Sequence, residues 1–121
     1  MIYSRTETIQ IIDKLIELTQ HRMLLWQEGP LNDYMNGPDE MVEIVYVTEH
    51  LGRIIRAYRR DFKYFYDEMN FSWDYEIIIE FTNNYGHRLG RFQKTPNASE
   101  LLQAIQYQNP NVRNFFNEIF N

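Results

Sequence analysis

The chain has 121 residues, a length typical of one folded domain, so we treat residues 1–121 as a single domain. It contains no cysteine, which excludes disulfide frameworks, cysteine nucleophiles and thiolate metal sites. Its apolar segments are shorter than the ~18 residues of a membrane span, and the opening MIYSRTETIQ lacks the features of a signal peptide. We therefore predict a cytoplasmic protein with no membrane partner.

Charge is distributed unevenly along the chain. The formal net charge is −5, yet eight of the twelve Lys and Arg residues lie between positions 53 and 94. An acidic chain is poorly suited to long nucleic acids, because binding a duplex requires many phosphates to be neutralised together. A small anion needs only a few cations, so the basic segment is compatible with a small anionic ligand. The alternative is that these arginines are solvated and pair with neighbouring carboxylates.

The N-terminal segment is predicted to be a helix over residues 5–27. Ser4 and Glu7 have the spacing of a capping box. The apolar residues that follow recur at helical spacing: Ile9, Ile12, Ile16 and Met23. A Gly-Pro pair at positions 29 and 30 ends the pattern, and residues 29–40 are predicted to be a loop.

The middle of the chain decides the fold class. Residues 41–48 are dense in β-branched side chains, residues 74–82 alternate polar with apolar, and residues 87–92 follow a turn sequence as a return strand. Apolar residues between positions 41 and 65 also recur near helical spacing, so an all-α bundle is the alternative. The glycines at 52, 86 and 90 would each cost a helix about 1 kcal/mol relative to Ala. They favour an antiparallel β-meander.

The C-terminal segment is predicted to form two short helices. Asn97 and Glu100 have capping-box spacing, and Asn109 precedes a proline at the first helical position. The last helix carries an apolar stripe of Val112, Phe115, Phe116, Ile119 and Phe120. We predict that the stripe packs onto the sheet, with a dimer contact as the alternative. The predicted fold class is α+β, with an N-terminal helix, an antiparallel β-meander and C-terminal helices.

Motifs for catalysis or metal binding are missing from the sequence. There is no G-x-S-x-G elbow and no P-loop. The three histidines lie far apart, and the i, i+4 pair Glu17 and His21 is more typical of a surface hydrogen bond than of a metal site. We predict a protein that is not an enzyme and that uses no metal or cofactor.

The segment RIIRAYRRDFKYFY, residues 53–66, carries the side chains best suited to bind a ligand. If it is a strand, one face presents Arg56, Tyr58, Arg60, Phe62, Tyr64 and Tyr66. Guanidinium groups bind phosphate through a planar fork of donors, and aromatic rings stack on bases. His87, Arg88 and Arg91 on the next hairpin extend the patch. The alternative is an exposed face on which arginine stems cover aromatic rings.

In layout and residue character the chain resembles the Thoeris anti-defence sponge family of phages. The likeness is carried by a helix ending in a Trp (LIELTQHRMLLWQ), a Tyr/Arg-rich meander (RIIRAYRRDFKYFYDE), a hairpin (DYEIIIEFTNNYGHRLGRF) and a C-terminal helix (VRNFFNEIF). The resemblance implies a small α+β oligomer that captures a cyclic ADP-ribose-type signal in the host cell cytoplasm. It also implies ligand-binding roles for Arg56 or Arg60, for Phe81 and Asn84 near the hairpin, and for Arg113 toward the C-terminus.

The resulting prediction is a non-enzymatic protein that sequesters a small anionic, nucleotide-like ligand and forms a homo-oligomer. Its predicted ligand-binding residues are Arg56, Tyr58, Arg60, Phe81, Asn84, Arg88, Arg91 and Arg113. The alternative is an acidic protein–protein inhibitor or immunity protein. Its basic target would be contacted by Glu28, Asp33, Asp39, Glu40, Glu43 and Glu49.

Overall fold

A computed structural model of the protein describes residues 4–120. One helix is followed by six strands and then by two helices. The strands are β1 (Gln27–Gly29), β2 (Glu40–Met41), β3 (Val45–His50), β4 (Arg53–Phe65), β5 (Phe71–Thr82) and β6 (Arg88–Arg91). The helices are α1 (Arg5–Gln20), α2 (Ala98–Tyr107) and α3 (Pro110–Phe120), with a 3₁₀ turn at Asp33–Met35. This is the predicted α+β class, and it excludes the all-α alternative.

A single antiparallel sheet contains all six strands. Their order is β1-β3-β4-β5-β6, and β2 pairs with β4 farther along the strand than β3 does. The two longest strands, β4 and β5, form a hairpin whose register runs from Ile54 opposite Thr82 to Phe65 opposite Phe71. Within the described residues, the tip of this hairpin (residues 64–72) is flanked by no further strand, so it projects as a two-stranded ribbon.

The main core lies between one face of the sheet and helices α1 and α2. Ile12 of α1 and Leu101 of α2 are fully buried there, against Ile55, Ala57 and Ile79 of the two central strands. Alternate residues of β4 and β5 face this layer because successive strand residues point to opposite sides. The helices therefore leave the other face of the sheet open.

A smaller core lies on the other face. The 3₁₀ turn and the segment after it fold across β3 and β4, which buries Met35 and Val42 against Val45, Tyr58 and Ile78. The side chain of Asn36 fastens this segment by accepting a hydrogen bond from the Val42 amide (3.0 Å) and donating to the Val42 carbonyl (3.2 Å). The result is a wall beside the charged residues of β4.

Helix α1 begins as predicted but ends earlier. The Ser4 N-cap is confirmed, since the Glu7 amide donates to Ser4 Oγ at 3.1 Å, while Glu7 Oε1 accepts from the Ser4 hydroxyl (3.2 Å). The predicted end at residue 27 is wrong, because the helix stops at Gln20 and Arg22 adopts a positive φ of 59°. The Met23 amide then donates to the Leu18 carbonyl (2.9 Å), which is the Schellman reversal. Arginine stands where glycine is usual, so the sequence gives no signal for this end.

The start of α2 differs from its prediction in a similar way. The Asn97 side chain does not cap its own helix. Its Nδ2 donates instead to the Ile9 carbonyl (2.9 Å) and to Asp13 Oδ1 (2.8 Å), which ties α2 to α1. The predicted second capping box is therefore wrong, because Asn97 Oδ1, the atom that would cap the helix, accepts from Thr95 Oγ1 instead (2.6 Å).

The position of α3 contradicts the prediction that its apolar stripe packs onto the sheet. The predicted start is confirmed, since the Asn111 amide donates to the side chain of Asn109 (2.9 Å). No residue of the helix is buried, however, and Phe115, Phe116, Ile119 and Phe120 are all exposed. The stripe does not reach the sheet because α1 and α2 already cover that face, and α3 contacts the end of α2, where Phe116 packs on Tyr107 with ring centroids 5.8 Å apart.

Candidate functional site

On the face of the sheet that the helices leave uncovered, the side chains are arranged around one buried carboxylate, that of Glu80 on β5. Its side chain has no solvent exposure. It lies opposite Arg56 of β4 and beside β6, because the register pairs Glu80 with both Arg56 and Arg91. A buried charge is unfavourable unless it is paired and hydrogen-bonded. Every neighbouring group is a donor: Arg56, Tyr58, Arg88 and Arg91.

Arg56 is the closest partner of Glu80 and is itself 3% exposed. Its Nε and Nη2 both donate to Glu80 Oε1, at 2.9 and 2.6 Å. Its three remaining donors reach Asn32 Oδ1 and Tyr34 Oη, each at 2.7 Å, and the Gly86 carbonyl at 3.3 Å. Burial lowers the pKa of Arg56, but these hydrogen bonds outweigh burial and raise it above the ordinary value. This arginine is therefore saturated, and it holds the loop before β2 against the sheet.

Tyr58 lies at the floor of the site, next to the carboxylate. Its hydroxyl donates to Glu80 Oε1 at 3.0 Å and accepts from Arg88 at 3.4 Å. Burial and the negative charge of Glu80 raise its pKa, although the hydrogen bond from Arg88 acts in the opposite direction. The phenol is consequently a neutral donor at physiological pH, and it adds no negative charge to the site.

Arg88 and Arg91 of β6 form the exposed edge of the site. Arg88 Nε donates to Glu80 Oε2, and Arg91 Nε lies 3.8 Å from the same oxygen. Their side chains are 39% and 40% exposed, so both guanidinium groups remain accessible. Burial lowers the pKa of Arg88, but hydrogen bonds to Tyr58 and Glu80 raise it overall. One buried negative charge is thus shared by three arginines, which leaves an excess of positive charge at this edge.

A cavity of about 290 Å³ opens beside these arginines. It is lined by Tyr34, Met35, Glu40, Val42, Tyr58, Arg60, Arg88 and Arg91. Arg60 donates to Glu40 (2.6 Å) and to Glu76 (3.1 Å), so its charge is balanced by carboxylates. The cavity therefore has a neutralised side at Arg60, a positive side at Arg88 and Arg91, and an apolar wall.

Five of the eight predicted ligand-binding residues come together at this site. Arg56 and Tyr58 form its floor, and the three remaining members line the cavity: Arg60, Arg88 and Arg91.

The structure does not bring Phe81, Asn84 or Arg113 to this site. Phe81 points to the opposite face, where its ring packs on Phe92 with centroids 5.1 Å apart. It also lines, with Asn84, a separate cavity of about 600 Å³ at the turn between β5 and β6. Arg113 lines a third cavity, of about 650 Å³, between α3 and the ends of α1 and α2. Its Nη1 is buried there without a hydrogen-bond partner among the described residues.

Sequence reasoning missed the carboxylate at the centre of the site and the loop residues that complete it. Glu80 stands between apolar neighbours in IIIEFT, and a charge inside a central strand is a signal that it has buried partners. Asn32 and Tyr34 carry no such signal, because only the tertiary fold brings the loop to β4. Two of the acidic residues of the inhibitor alternative, Asp39 and Glu40, pair with Lys63 and Arg60 of this chain.

Within residues 4–120, no group of three or more His, Cys, Asp or Glu side chains is arranged to hold a metal ion. No helix in the same range has the length and apolar character needed to cross a bilayer. Comparisons of the chain with protein-family models, with curated proteins and with solved structures found no match.

Proposed function

We propose that this protein is a non-enzymatic binding protein that sequesters a small phosphate-bearing, nucleotide-like ligand at the cavity beside Glu80. The observation that carries the proposal is the excess of positive charge at Arg88 and Arg91, which share a single buried carboxylate with Arg56. The resemblance to the Thoeris anti-defence sponges supplies the ligand class, a cyclic ADP-ribose-type signal, and a counter-defence role in the host cytoplasm.

Phosphate is the anion that suits these groups best. A guanidinium presents paired donors that match two phosphate oxygens. Arg88 is held by its hydrogen bond to Glu80, so it loses little side-chain freedom when a ligand arrives, and Arg91 lies 3.8 Å from the same carboxylate. These two guanidinium groups, together with the neutral hydroxyl of Tyr58, favour an anion over a cation in the cavity.

Tyr34 is the residue placed to contact a ring of the ligand. Its hydroxyl is held by Arg56, while half of its side chain remains exposed at the cavity rim. A base stacked on an aromatic ring contributes about 1–3 kcal/mol. At about 290 Å³ the cavity is close to the lower bound of ligand pockets, about 300 Å³. The phosphate would therefore occupy the cavity, and the rest of the ligand would extend over Tyr34.

The proposal is tested by a thermal-shift panel on the purified chain, with binding confirmed by calorimetry. The panel contains ATP, ADP-ribose, cyclic ADP-ribose isomers, and cyclic di- and trinucleotides. A ligand at one hundred times its Kd stabilises the folded state by about 2.7 kcal/mol, so one compound should raise the melting temperature by several degrees. The same compound should be recovered chemically intact, because the proposed role is capture without turnover.

Arg91→Gln should weaken that binding about 10–100-fold, because a hydrogen bond to a charged group contributes about 1.5–3 kcal/mol. The matched control is Arg59→Gln, since Arg59 lies on the same sheet but points to the opposite face, where it pairs with Asp61. If the protein is folded and none of the compounds raises its melting temperature, the proposal is refuted. Equal losses in the two variants would refute the site, and consumption of the ligand would show an enzyme.

A further inference from the structure

The projecting part of the β4–β5 hairpin carries an uncovered continuation of the helix-covered face. We call it the distal hairpin face, and it consists of Arg59, Lys63, Phe65, Phe71, Trp73 and Tyr75. Its aromatic side chains are all exposed, Trp73 by 54%. Phe71 contacts both Phe65 and Trp73, with ring centroids 5.6 and 6.3 Å apart. A two-stranded ribbon with an uncovered aromatic face is marginally stable in water on its own.

Two cations lie over the rings of this face. Lys63 Nζ is 4.4 Å from the centre of the Phe71 ring, and the Arg59 guanidinium carbon is 4.1 Å from the centre of the Tyr75 ring. Both cations are also paired within the chain, Arg59 with Asp61 and Lys63 with Asp39. The surface is therefore apolar at its centre and ion-paired along β4, and a partner that covers it needs above all an apolar stripe.

Helix α3 carries such a stripe and is itself uncovered. Its apolar stripe (Phe115, Phe116, Ile119 and Phe120) is exposed, with Phe120 the extreme at 83%. Glu118 is the helix's acidic residue and also lies in the exposed part of the chain. Monomeric proteins rarely expose apolar patches larger than a few hundred Å². Among residues 4–120, two apolar surfaces stand uncovered, one on a helix and one on a sheet face.

A place for a further helix is open beside α2. Along the flank of α2 that carries Leu102 and Gln106, a groove of about 380 Å³ is bounded on the other side by Arg59 and Asp61 of β4. The chain's own α3 leaves from a different side of α2, where Arg113 shares a cavity with Gln103, Tyr107 and residues of α1. A helix that covered the distal hairpin face would therefore come from another molecule.

We propose that two copies of this chain form a two-fold symmetric dimer in which α3 of each copy lies on the distal hairpin face of the other. Packing helices onto a sheet face is the general solution for burying it, and here it would extend the layer already formed by α1 and α2. Glu118 borders the stripe, so in this packing it lies near Lys63 or Arg59 of the other copy and adds to the ion pairs that these cations make with Asp39 and Asp61. Both contacts are equivalent, so the assembly closes at two subunits.

The exposed area is sufficient for a stable dimer. A fully buried aromatic side chain removes about 150–250 Å² from solvent. The exposed fractions of the two surfaces therefore allow each α3–hairpin contact to bury about 600–900 Å², counting both sides. Two symmetric contacts would bury about 1,200–1,800 Å², which is the size of standard specific interfaces. A single α3–α3 contact would bury roughly half of that.

The first measurement is the mass of the full chain in solution, by light scattering after size-exclusion chromatography. We expect twice the mass of one chain. Phe120→Glu in α3 and Trp73→Glu in the hairpin should each give monomers, because either change removes both contacts. Tyr85→Glu is the matched control, since Tyr85 is equally exposed but lies at the β5–β6 turn. This control should remain a dimer, and circular dichroism should show that all three variants are folded.

Mixing the two variants distinguishes this arrangement from a dimer held by α3 against α3 and from one held by hairpin against hairpin. A Trp73→Glu copy keeps its α3, and a Phe120→Glu copy keeps its hairpin, so one contact returns in the mixture. Because the chain has no cysteine, this contact can be trapped by adding Glu118→Cys to the first copy and Lys63→Cys to the second. A disulfide between unlike copies is expected. A monomeric native chain, a dimer that survives either Glu substitution, or disulfides only between like copies would overturn the proposal.

Discussion

The two faces of the central hairpin are both buried near β3, but by different physical means. On one face, Ile55 and Ala57 pack against α1 and α2 and exclude water. On the other face, Arg56 and Tyr58 from the same strand surround Glu80 with donors. Successive strand residues alternate between the faces, so one strand supports both interiors. Apolar packing tolerates any side chain of suitable volume, whereas a buried carboxylate requires its particular partners.

The largest loss of stability should come from removing the charge of Glu80. Glu80→Gln leaves Arg56 buried without its counter-charge, and breaking a buried ion pair in this way costs about 3–5 kcal/mol. Urea unfolding measures the loss. Glu68→Gln is the control, because Glu68 is exposed in the hairpin turn and a surface substitution changes stability by about 0.5 kcal/mol or less.

A double replacement sharpens this prediction. Arg56→Met with Glu80→Leu removes both members of the pair together, and it should recover part of the stability that Glu80→Gln loses. A Glu80→Gln protein as stable as the native chain would show that the open face is not held by this charge.

A somewhat smaller loss of stability is expected from a substitution on the helix-covered face. Leu101 is fully buried there, and Leu101→Ala should cost about 2–5 kcal/mol through lost burial and the cavity that remains. Leu101→Met keeps the volume and should cost less than about 1.5 kcal/mol. Neither change should alter ligand affinity in the folded protein, because the two interiors lie on opposite faces. Reduced affinity in Leu101→Met, measured by calorimetry, would show that the faces are coupled.

The smallest expected effect is the stability that Glu76 contributes, which is lost at low pH. Burial raises the pKa of Glu76, but Lys94 and Arg60 outweigh burial and lower it below the ordinary value of 4.5. A carboxylate with a lowered folded-state pKa stabilises the protein above its unfolded pKa, and this stability is lost as the pH falls through the folded value. Since Lys94 is exposed, Glu76→Gln should cost only about 0.5–1 kcal/mol at neutral pH.

The same variant should differ from the native chain in how it responds to acid. The native free energy of unfolding should fall more steeply than that of Glu76→Gln from about pH 5 to about pH 3. Urea unfolding at several pH values measures both slopes. Parallel slopes would mean that Glu76 gains nothing from Lys94 and Arg60 in the folded state.

The alternation of β4 is sufficient by itself to place Arg56, Tyr58 and Arg60 on one face. Alternation alone would separate Arg88 from Arg91, because they are three positions apart. The irregular register between β5 and β6 at Phe81 and Thr82 puts both beside Glu80. The same alternation separates Phe81 from this patch, because Phe81 follows Glu80 directly and must face the helices. The likeness in layout groups Phe81 and Arg113 with the arginines, and neither is found with them.

Local patterns in the sequence thus determined the α+β class, the start of α1 and the face shared by Arg56, Tyr58 and Arg60, since each depends on neighbours within a few positions. Tertiary structure alone decided the rest. Only in the folded chain does Glu80 pair with three arginines and do Tyr34 and Asn32 contact Arg56. The fold also leaves the apolar stripe of α3 exposed. The physical reason is that burial and pairing depend on which distant segments share space, and periodicity along one strand or helix carries no information about its neighbour.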